Sequence, residues 1–205
     1  AAYCRKKDIP MVCAAAWLNN LRVLEGLVEQ VNNEQMVAGY GPLHFAAALG
    51  NLDIVEFLLE NGVDKNLRDK DGNTALMWVI ASDKKTEIME ALVDHGASLN
   101  AQNFAGETAL SIAVKFGLTE KVRYLLNSGA SPNTANLEGS SPLHIASGRG
   151  DEEMMMLLIR YGAHVNATDD EGDSALHYAV REGHLNAVRL LCKCGANVAH
   201  KNDDG

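Results

Sequence analysis

Two serine–histidine pairs are the residues of this chain whose types and spacing most resemble catalytic machinery. Ser141 precedes His144 by three residues, and Ser174 precedes His177 by the same interval. A histidine beside a hydroxyl can act as a general base and convert the hydroxyl into a nucleophile. A serine at a helix start can instead cap the first turn, with the histidine bonding between turns. The elements around the pairs decide between these two interpretations.

Both pairs belong to a pattern that recurs along the chain with an almost constant period. Its centres are Leu43, Leu76, Leu110, Leu143 and Leu176, at intervals of 33, 34, 33 and 33 residues. A glycine keeps step with them at Gly62, Gly96, Gly129, Gly162 and Gly195. A fixed period of this length indicates stacked supersecondary elements, each of which needs its neighbours to bury its apolar face. Because Thr or Ser recurs two places before four of these five leucines, the pattern favours capping over catalysis.

Two motifs in fixed phase resemble the signatures of the ankyrin repeat family. The first reads Gly41-Pro42-Leu43-His44-Phe45-Ala46 and returns as Ser141-Pro142-Leu143-His144-Ile145-Ala146, similar to T-P-L-H-x-A. The second reads Gly-Ala-Ser-Leu-Asn at 96–100 and returns at 129–133 and 162–166. The resemblance implies an all-α fold, an ankyrin-repeat helical solenoid in which each repeat is a helix-turn-helix followed by a β-hairpin or loop.

The resemblance covers nearly the whole chain and predicts a single ankyrin-repeat domain over residues 1–205. We place the repeats at about 4–35, 36–68, 69–102, 103–135, 136–168 and 169–201, the first of them degenerate. Residues 202–205 repeat the phrase that opens each repeat and predict the start of a further one. Since the sequence also begins without Met, we expect a monomeric array within a longer chain.

The pattern also assigns local roles within a repeat. Gly50, Gly117, Gly150 and Gly183 are predicted to end the first helices in a left-handed conformation. Met154 and Met155 align with core positions of the second helix, whereas Met156 should point outward. The third repeat has one additional residue near 82–86, and we expect this loop to protrude.

Composition and charge exclude several classes of function. A net charge of −9 argues against general nucleic-acid binding, which needs clustered Lys and Arg. No stretch approaches 18 uninterrupted apolar residues, so membrane insertion is not expected. Four scattered cysteines indicate reduced thiols and an intracellular protein, cytoplasmic or nuclear. Cys192 aligns with the core position of Leu59, and Cys194 with the more exposed Asn61.

An acidic cluster is the remaining candidate for ligand chemistry. It consists of Asp169, Asp170, Glu171 and Asp173, with Glu182 further along the chain. Carboxylates could hold calcium, but the phase of Gly172 matches the repeat glycines rather than a calcium loop. We interpret the cluster as a solvated hairpin tip. With no phosphate-binding glycine loop and no converging metal ligands, we expect no cofactor, no metal and no enzymatic activity.

The function is therefore expected on residues that the repeat does not fix. The resemblance implies a concave surface of hairpin tips and first helices that binds proteins. Apolar or aromatic residues stand at five such places, in a chain with two Trp, five Tyr and four Phe. An aromatic patch rimmed by charge is the expected form of an interface. The predicted partner-binding residues are Tyr40, Leu49, Lys70, Asn73, Phe104, Glu107, Lys115, Phe116, Leu137 and Arg149. Alternatively, Phe104 and Phe116 pack on each other and stiffen adjacent tips.

Three functions remain open at this point. The first is a non-enzymatic interaction module, a scaffold or adaptor, that binds a partner peptide or domain on the concave surface. The second is the regulatory or targeting arm of a larger enzyme, channel or signalling protein. The third is a structural spacer without a saturable ligand.

Overall fold

A computed structural model of the chain describes residues 11–27, 40–81 and 86–205. These residues form two compact units, Ala1–Phe104 and Ala105–Gly205, hereafter the N-terminal and C-terminal units. Twelve α-helices lie in the described ranges, and no β-strand does. Thr168 and Ser174 form an isolated antiparallel bridge. The predicted all-α architecture is confirmed, whereas the protruding loop falls at 82–85, outside the described residues.

The N-terminal unit holds three pairs of helices. They are α1 (Met11–Trp17) and α2 (Leu21–Glu25), α3 (Pro42–Leu49) and α4 (Leu52–Glu60), and α5 (Ala75–Ala81) and α6 (Thr86–Asp94). The first helices pack in sequence, α1 on α3 and α3 on α5, while α4 packs on α6. Leu43 and Leu76 are buried between them. The degenerate first repeat therefore contains both of its helices.

The C-terminal unit repeats the same arrangement with more regular sequences. Its helices are α7 (Ala109–Lys115) and α8 (Thr119–Asn127), α9 (Pro142–Gly148) and α10 (Glu152–Arg160), and α11 (Ala175–Arg181) and α12 (Leu185–Lys193). Here α9 packs between α7 and α11, and α10 packs on α12. Met154 and Met155 are buried and Met156 is exposed, as the helical period of the sequence predicts.

Turn glycines set the spacing between successive hairpin tips. The four glycines predicted to end first helices, Gly50, Gly117, Gly150 and Gly183, all have positive φ. At the tip, Gly139 has φ 74°, and a Cβ there would lie 2.7 Å from the backbone nitrogen of Asp170 in the next tip. That nitrogen donates a hydrogen bond to the carbonyl of Glu138 at 3.1 Å. Glycine therefore lets adjacent tips bond directly.

Asparagines at the ends of the fourth and fifth repeats tie each of these repeats to the next one. The Asn133 side chain donates to the Gly162 carbonyl at 2.9 Å and accepts from the His164 backbone nitrogen at 2.8 Å. Asn166 makes the same pair of bonds one repeat later, to Gly195 and Asn197. These contacts explain why the second sequence motif ends in asparagine. They also engage both polar atoms of Asn166, the residue in the sequence Asn-Ala-Thr that matches a glycosylation acceptor.

The two cysteines near the end of the chain depart from their predicted environments. Cys192 is exposed and Cys194 is half-buried, although the alignment with Leu59 predicts a buried Cys192. The prediction was wrong because α12 packs, within the described residues, on α10 and α11 on one side. The opposite side of the helix, which carries Cys192, faces solvent.

Ser147 occupies a fully buried position that is alanine, Ala47, in the second repeat. Its hydroxyl has no hydrogen-bond partner among the described residues. A buried hydroxyl without a partner loses its hydration without compensation, so it destabilises the folded state. The Ser147 hydroxyl is therefore an unsatisfied polar group in the core of the C-terminal unit, as far as the described residues show.

Replacing this serine should stabilise the protein. We expect Ser147→Ala to raise the free energy of unfolding by about 1 kcal/mol, because the unpaired hydroxyl is removed with little change of shape. Urea denaturation followed by circular dichroism measures the change. The reciprocal variant Ala47→Ser, which buries a new hydroxyl, should lower the stability. A Ser147→Ala protein less stable than the parent would contradict this interpretation.

Candidate functional site

The serine–histidine pair of the fifth repeat has a geometry that could be mistaken for a catalytic dyad. The Ser141 hydroxyl lies 2.7 Å from His144 Nδ1, and the Ser141 backbone nitrogen donates to the same atom at 3.1 Å. His144 Nε2 lies 3.1 Å from the carbonyl of Asp173 in the next repeat. Because a carbonyl can only accept, Nε2 carries the proton and Nδ1 is the acceptor. Both nitrogens of the ring are therefore engaged.

Burial gives these histidines a structural role. His144 is 1% exposed and Ser141 is also buried, so a substrate could not reach the hydroxyl. His44 repeats the arrangement, with Nδ1 accepting from Gly41 at 3.2 Å and Nε2 bonded to the Asn73 carbonyl at 3.0 Å. Burial lowers the pKa of both imidazoles below their usual value. The hydrogen bonding around His144 is therefore structural, and it reaches the next repeat, further than the predicted bond between turns.

The acidic cluster is not uniformly solvated, and here the sequence prediction needs correction. Asp169 is half-buried, and its Oδ1 accepts from the backbone nitrogens of Glu171 at 3.0 Å and Asp173 at 2.9 Å. Its Oδ2 accepts from the Tyr178 hydroxyl at 2.8 Å. The carboxylate thus closes the hairpin tip from inside, as short acidic side chains do in tight turns.

Asp173 is a buried carboxylate, also against prediction. Arg181 Nη1 lies 2.6 Å from its Oδ2, and Asn202 donates to its Oδ1 at 2.6 Å. Burial alone raises the pKa of Asp173, but the bonds from Asn202 and Arg181 outweigh it, so the pKa lies below its ordinary value. The three other acidic residues of the set, Asp170, Glu171 and Glu182, are exposed as predicted.

The predicted partner-binding residues of the N-terminal unit lie in different surroundings, some exposed and some held by other side chains. Leu49 and Phe104 are 46% and 63% exposed, at the end of a first helix and on a hairpin tip. Lys70 Nζ lies 3.5 Å from Oδ2 of the next residue, Asp71, on the same tip. Asn73 belongs to the scaffold, since its backbone nitrogen donates to Asp69 and its side-chain oxygen accepts from Asn103. Tyr40 lies in a cluster of aromatic rings.

That cluster forms a continuous row, which we name the aromatic row, made of Trp17, Phe45, Tyr40 and Trp78. Trp17 stacks on Phe45 with ring centroids 5.4 Å apart, and Tyr40 meets Phe45 and Trp78 edge-on at 6.0 and 5.4 Å. Trp17 is 58% exposed and the other three rings are half-buried. Sequence reasoning found Tyr40 and missed the other three. Both tryptophans of the chain lie here, and that concentration could have signalled the row.

A carboxylate supports the inner end of the aromatic row. Trp78 Nε1 donates to Asp69 Oδ2 at 2.7 Å, while Asp69 Oδ1 accepts from the backbone nitrogens of Asn73 and Asp71. Burial by itself raises the pKa of Asp69, but these hydrogen bonds outweigh it, and the net pKa lies below its ordinary value. An ionised carboxylate therefore lies at the edge of the indole.

In the C-terminal unit the predicted residues form a charged group with two apolar neighbours. Phe116 and Leu137 are 56% and 71% exposed. Lys115 Nζ lies 2.9 Å from Glu107 Oε1, and Arg149 Nη1 donates to the Lys115 carbonyl at 2.9 Å. The structure thus brings Glu107, Lys115 and Arg149 together. Lys115 and Glu107 form an ion pair, and the Arg149 guanidinium bonds to a backbone carbonyl.

Within 11–27, 40–81 and 86–205, no three His, Cys, Asp or Glu side chains are grouped so that they could hold a metal ion. None of the helices in these ranges is long and apolar enough to cross a membrane.

Comparison with known proteins identifies the family. The ankyrin repeats model matches three times, at residues 3–69, 43–136 and 129–202. The ankyrin repeat domain of Bcl-3, described as a unique member of the IkappaB protein family, aligns with a TM-score of 0.86 and 31% identity over 96% of this chain and 90% of that one. The chain belongs to the ankyrin repeat family and is an ankyrin-repeat helical solenoid. Such repeats generally mediate protein–protein interaction, and the fold is typically non-catalytic.

Several curated proteins are similar to part of the chain. A probable E3 ubiquitin-protein ligase of Oryza sativa is 43% identical over 40% of the chain and 16% of its own length. The protein phosphatase 1 regulatory subunit 12A of Rattus norvegicus is 32% identical over 55% of the chain and 10% of its own length. An L-asparaginase of Dirofilaria immitis is 30% identical over 56% of the chain and 25% of its own length. The similarity thus spans a quarter or less of each relative.

The buried histidines predict a pH-dependent stability. Since burial lowers the folded-state pKa of His44 and His144 below 6.5, the unfolded chain binds more protons as the pH falls through that value. We therefore expect stability to be complete above about pH 6.5 and to fall below it. Urea denaturation at a series of pH values measures the slope.

A double variant isolates the histidine contribution. His44→Gln with His144→Gln should flatten the slope near pH 6.5, whereas His95→Gln, at an exposed ring directly after α6, should leave it unchanged. A slope retained in full by the double variant would show that other groups cause the pH dependence.

Proposed function

We propose that this chain is a non-enzymatic interaction module that binds a partner peptide or domain through its hairpin tips and the ends of its first helices. One observation carries the proposal. Four large apolar side chains, Leu49, Phe104, Phe116 and Leu137, are about half exposed or more at these places. Exposed apolar groups rimmed by charge are typical of protein interfaces. This supports the predicted surface in each unit.

Charged neighbours supply the rim of this surface. Lys70, which is paired with Asp71, lies beside Tyr40 in the N-terminal unit, and Glu107 and Lys115 form a surface pair in the C-terminal unit. Surface ion pairs of this kind contribute little to stability. Their side chains can therefore exchange an intramolecular partner for an intermolecular one at small cost, and they would govern specificity and association rate.

A second function has its own support. The three relatives described above are four or more times longer than the matched segment, and their names include a ligase and a regulatory subunit of a phosphatase. We therefore propose, as the alternative, that the chain is the regulatory or targeting arm of a larger intracellular protein. An interaction surface serves either role. A structural spacer, in contrast, would bind nothing saturably.

Two substitutions test the interaction surface. Affinity capture with the parent chain identifies a partner, and titration with the purified partner gives the Kd. We expect Phe104→Ala and Lys115→Glu each to weaken binding about tenfold, as for other interface hot spots. The backbone bond of Phe104 to Asp71 does not involve the ring, so the thermal melting transition should be unchanged.

Met156→Ala provides the matched control, because Met156 is an exposed apolar residue on a second helix, outside the proposed surface. It should bind like the parent. If Phe104→Ala and Lys115→Glu also bind normally, the surface is misplaced.

A further inference from the structure

The third and sixth repeats build the same arrangement around an aromatic ring. Trp78 and Tyr178 each lie two residues after the signature leucine. Trp78 donates to Asp69 at 2.7 Å, and Tyr178 donates to Asp169 at 2.8 Å. Each ring also meets the buried histidine of the preceding repeat edge-on, at 6.3 Å for Trp78 and 5.3 Å for Tyr178.

The two repeats differ in what covers the ring. The guanidinium of Arg181 lies over the Tyr178 ring, 4.8 Å from its centroid, and bonds to Asp173. Arg181 is the third residue after Tyr178, so it lies on the same side of α11. The third residue after Trp78 is Ala81, which is exposed at the end of α5. The sixth repeat thus contains a complete cation–π contact, whereas among the residues that the structure describes the third repeat contains only the aromatic half.

The aromatic half in the third repeat is the stronger one. Indole is the best of the aromatic side chains for a cation, and an ionised carboxylate at its edge makes the ring face more negative. Beyond Trp78, the rings of Tyr40, Phe45 and Trp17 continue the row. They enlarge the apolar surface, which ends at the exposed indole of Trp17.

The surrounding charge also favours a cationic ligand. The chain carries a net charge of −9. Within the part of the chain that the structure describes, Lys70 is a basic residue beside Tyr40, and its charge is offset by Asp71 at 3.5 Å. A row of rings could also stack nucleic-acid bases, but the negative chain would repel phosphates.

We propose that the aromatic row binds an arginine side chain of a partner protein's peptide segment, with the guanidinium over Trp78 in the place that Arg181 takes over Tyr178. This inference rests on the proposed interaction function and names the partner chemistry for one part of the surface. The contact is the intermolecular form of one that the chain makes within itself.

A substitution that completes the contact within the chain tests the proposal. Ala81→Arg should place a guanidinium over Trp78, as Arg181 does over Tyr178, and so block the ligand. Arginine favours helix and is well placed at a helix C-terminus, so the fold should be kept. Ala81→Gln is the control for side-chain length. Met156→Arg adds the same charge at an exposed position in the C-terminal unit.

The probes are peptides selected from a random twelve-residue library on the immobilised parent chain. Selected peptides are synthesised with arginine or with citrulline, its neutral isostere. Because Trp17 and Trp78 are the two tryptophans of the chain, intrinsic fluorescence reports binding at the aromatic row directly. A uridine oligonucleotide is titrated in parallel.

We expect selected peptides to contain arginine, and both the citrulline replacement and Ala81→Arg to weaken binding about tenfold, as loss of a desolvated cation–π contact does. Ala81→Gln and Met156→Arg should change the Kd less than about twofold. The proposal is overturned if no arginine-dependent peptide is selected, if Ala81→Arg binds like the parent, or if the oligonucleotide binds in place of peptides.

The outcomes separate this inference from the proposed function. Peptides that bind the Ala81→Arg variant normally but lose affinity with Phe104→Ala would exclude the arginine site and support the interaction surface. Loss of arginine-dependent binding in Ala81→Arg with no effect of Phe104→Ala would locate binding at the aromatic row.

Discussion

The bond from a buried imidazole to the backbone of the next repeat is the contact on which much of the structure depends. His44 and His144 each accept from the start of their own helix and donate across the repeat boundary. A repeat of about 33 residues cannot bury its apolar face alone, so correct stacking needs directional ties in addition to apolar contact. The neutral imidazole supplies one because it has one donor and one acceptor on opposite sides of a rigid ring.

The same ties explain why a catalytic-looking pair is inert. A serine hydroxyl 2.7 Å from an imidazole nitrogen has the distance of an activated nucleophile. In this chain the pair is buried, and the far nitrogen is held by a carbonyl in place of a carboxylate. Nucleophilic chemistry requires that a substrate can reach the hydroxyl, and the burial of Ser141 and His144 prevents this. Distance alone therefore does not define a dyad.

Repetition also makes differences between repeats informative. The scaffold places Trp78 and Tyr178 beside matching carboxylates and histidines, so the two repeats differ in what covers the ring. Arg181, held by Asp173, lies over Tyr178, whereas Ala81 and Asn73 occupy the corresponding positions in the third repeat. Two aspartates likewise combine hydrogen bonds that both repeats share with one that differs between them. Asp69 and Asp169 close their tips with the same backbone bonds, while the outer oxygen bonds to an indole in one case and a phenol in the other. The shared bonds fix the fold, and the variable ones shape the surface.

The sequence by itself determined the family, the helices and the turn glycines, because a 33-residue period and its signature residues report local structure that recurs in every repeat. Surface predictions from it succeeded for Phe104 and Leu137, which are exposed. They failed for Asp173, because its neighbours Arg181 and Asn202 are set by packing. The tertiary structure likewise decided the aromatic row, whose rings come from different repeats. It also explains Gly41, where a Cβ would lie 2.5 Å from the Leu67 side chain. Contacts between repeats depend on how the repeats stack. A periodic sequence does not show which of its non-repeating side chains will be in contact in the folded protein.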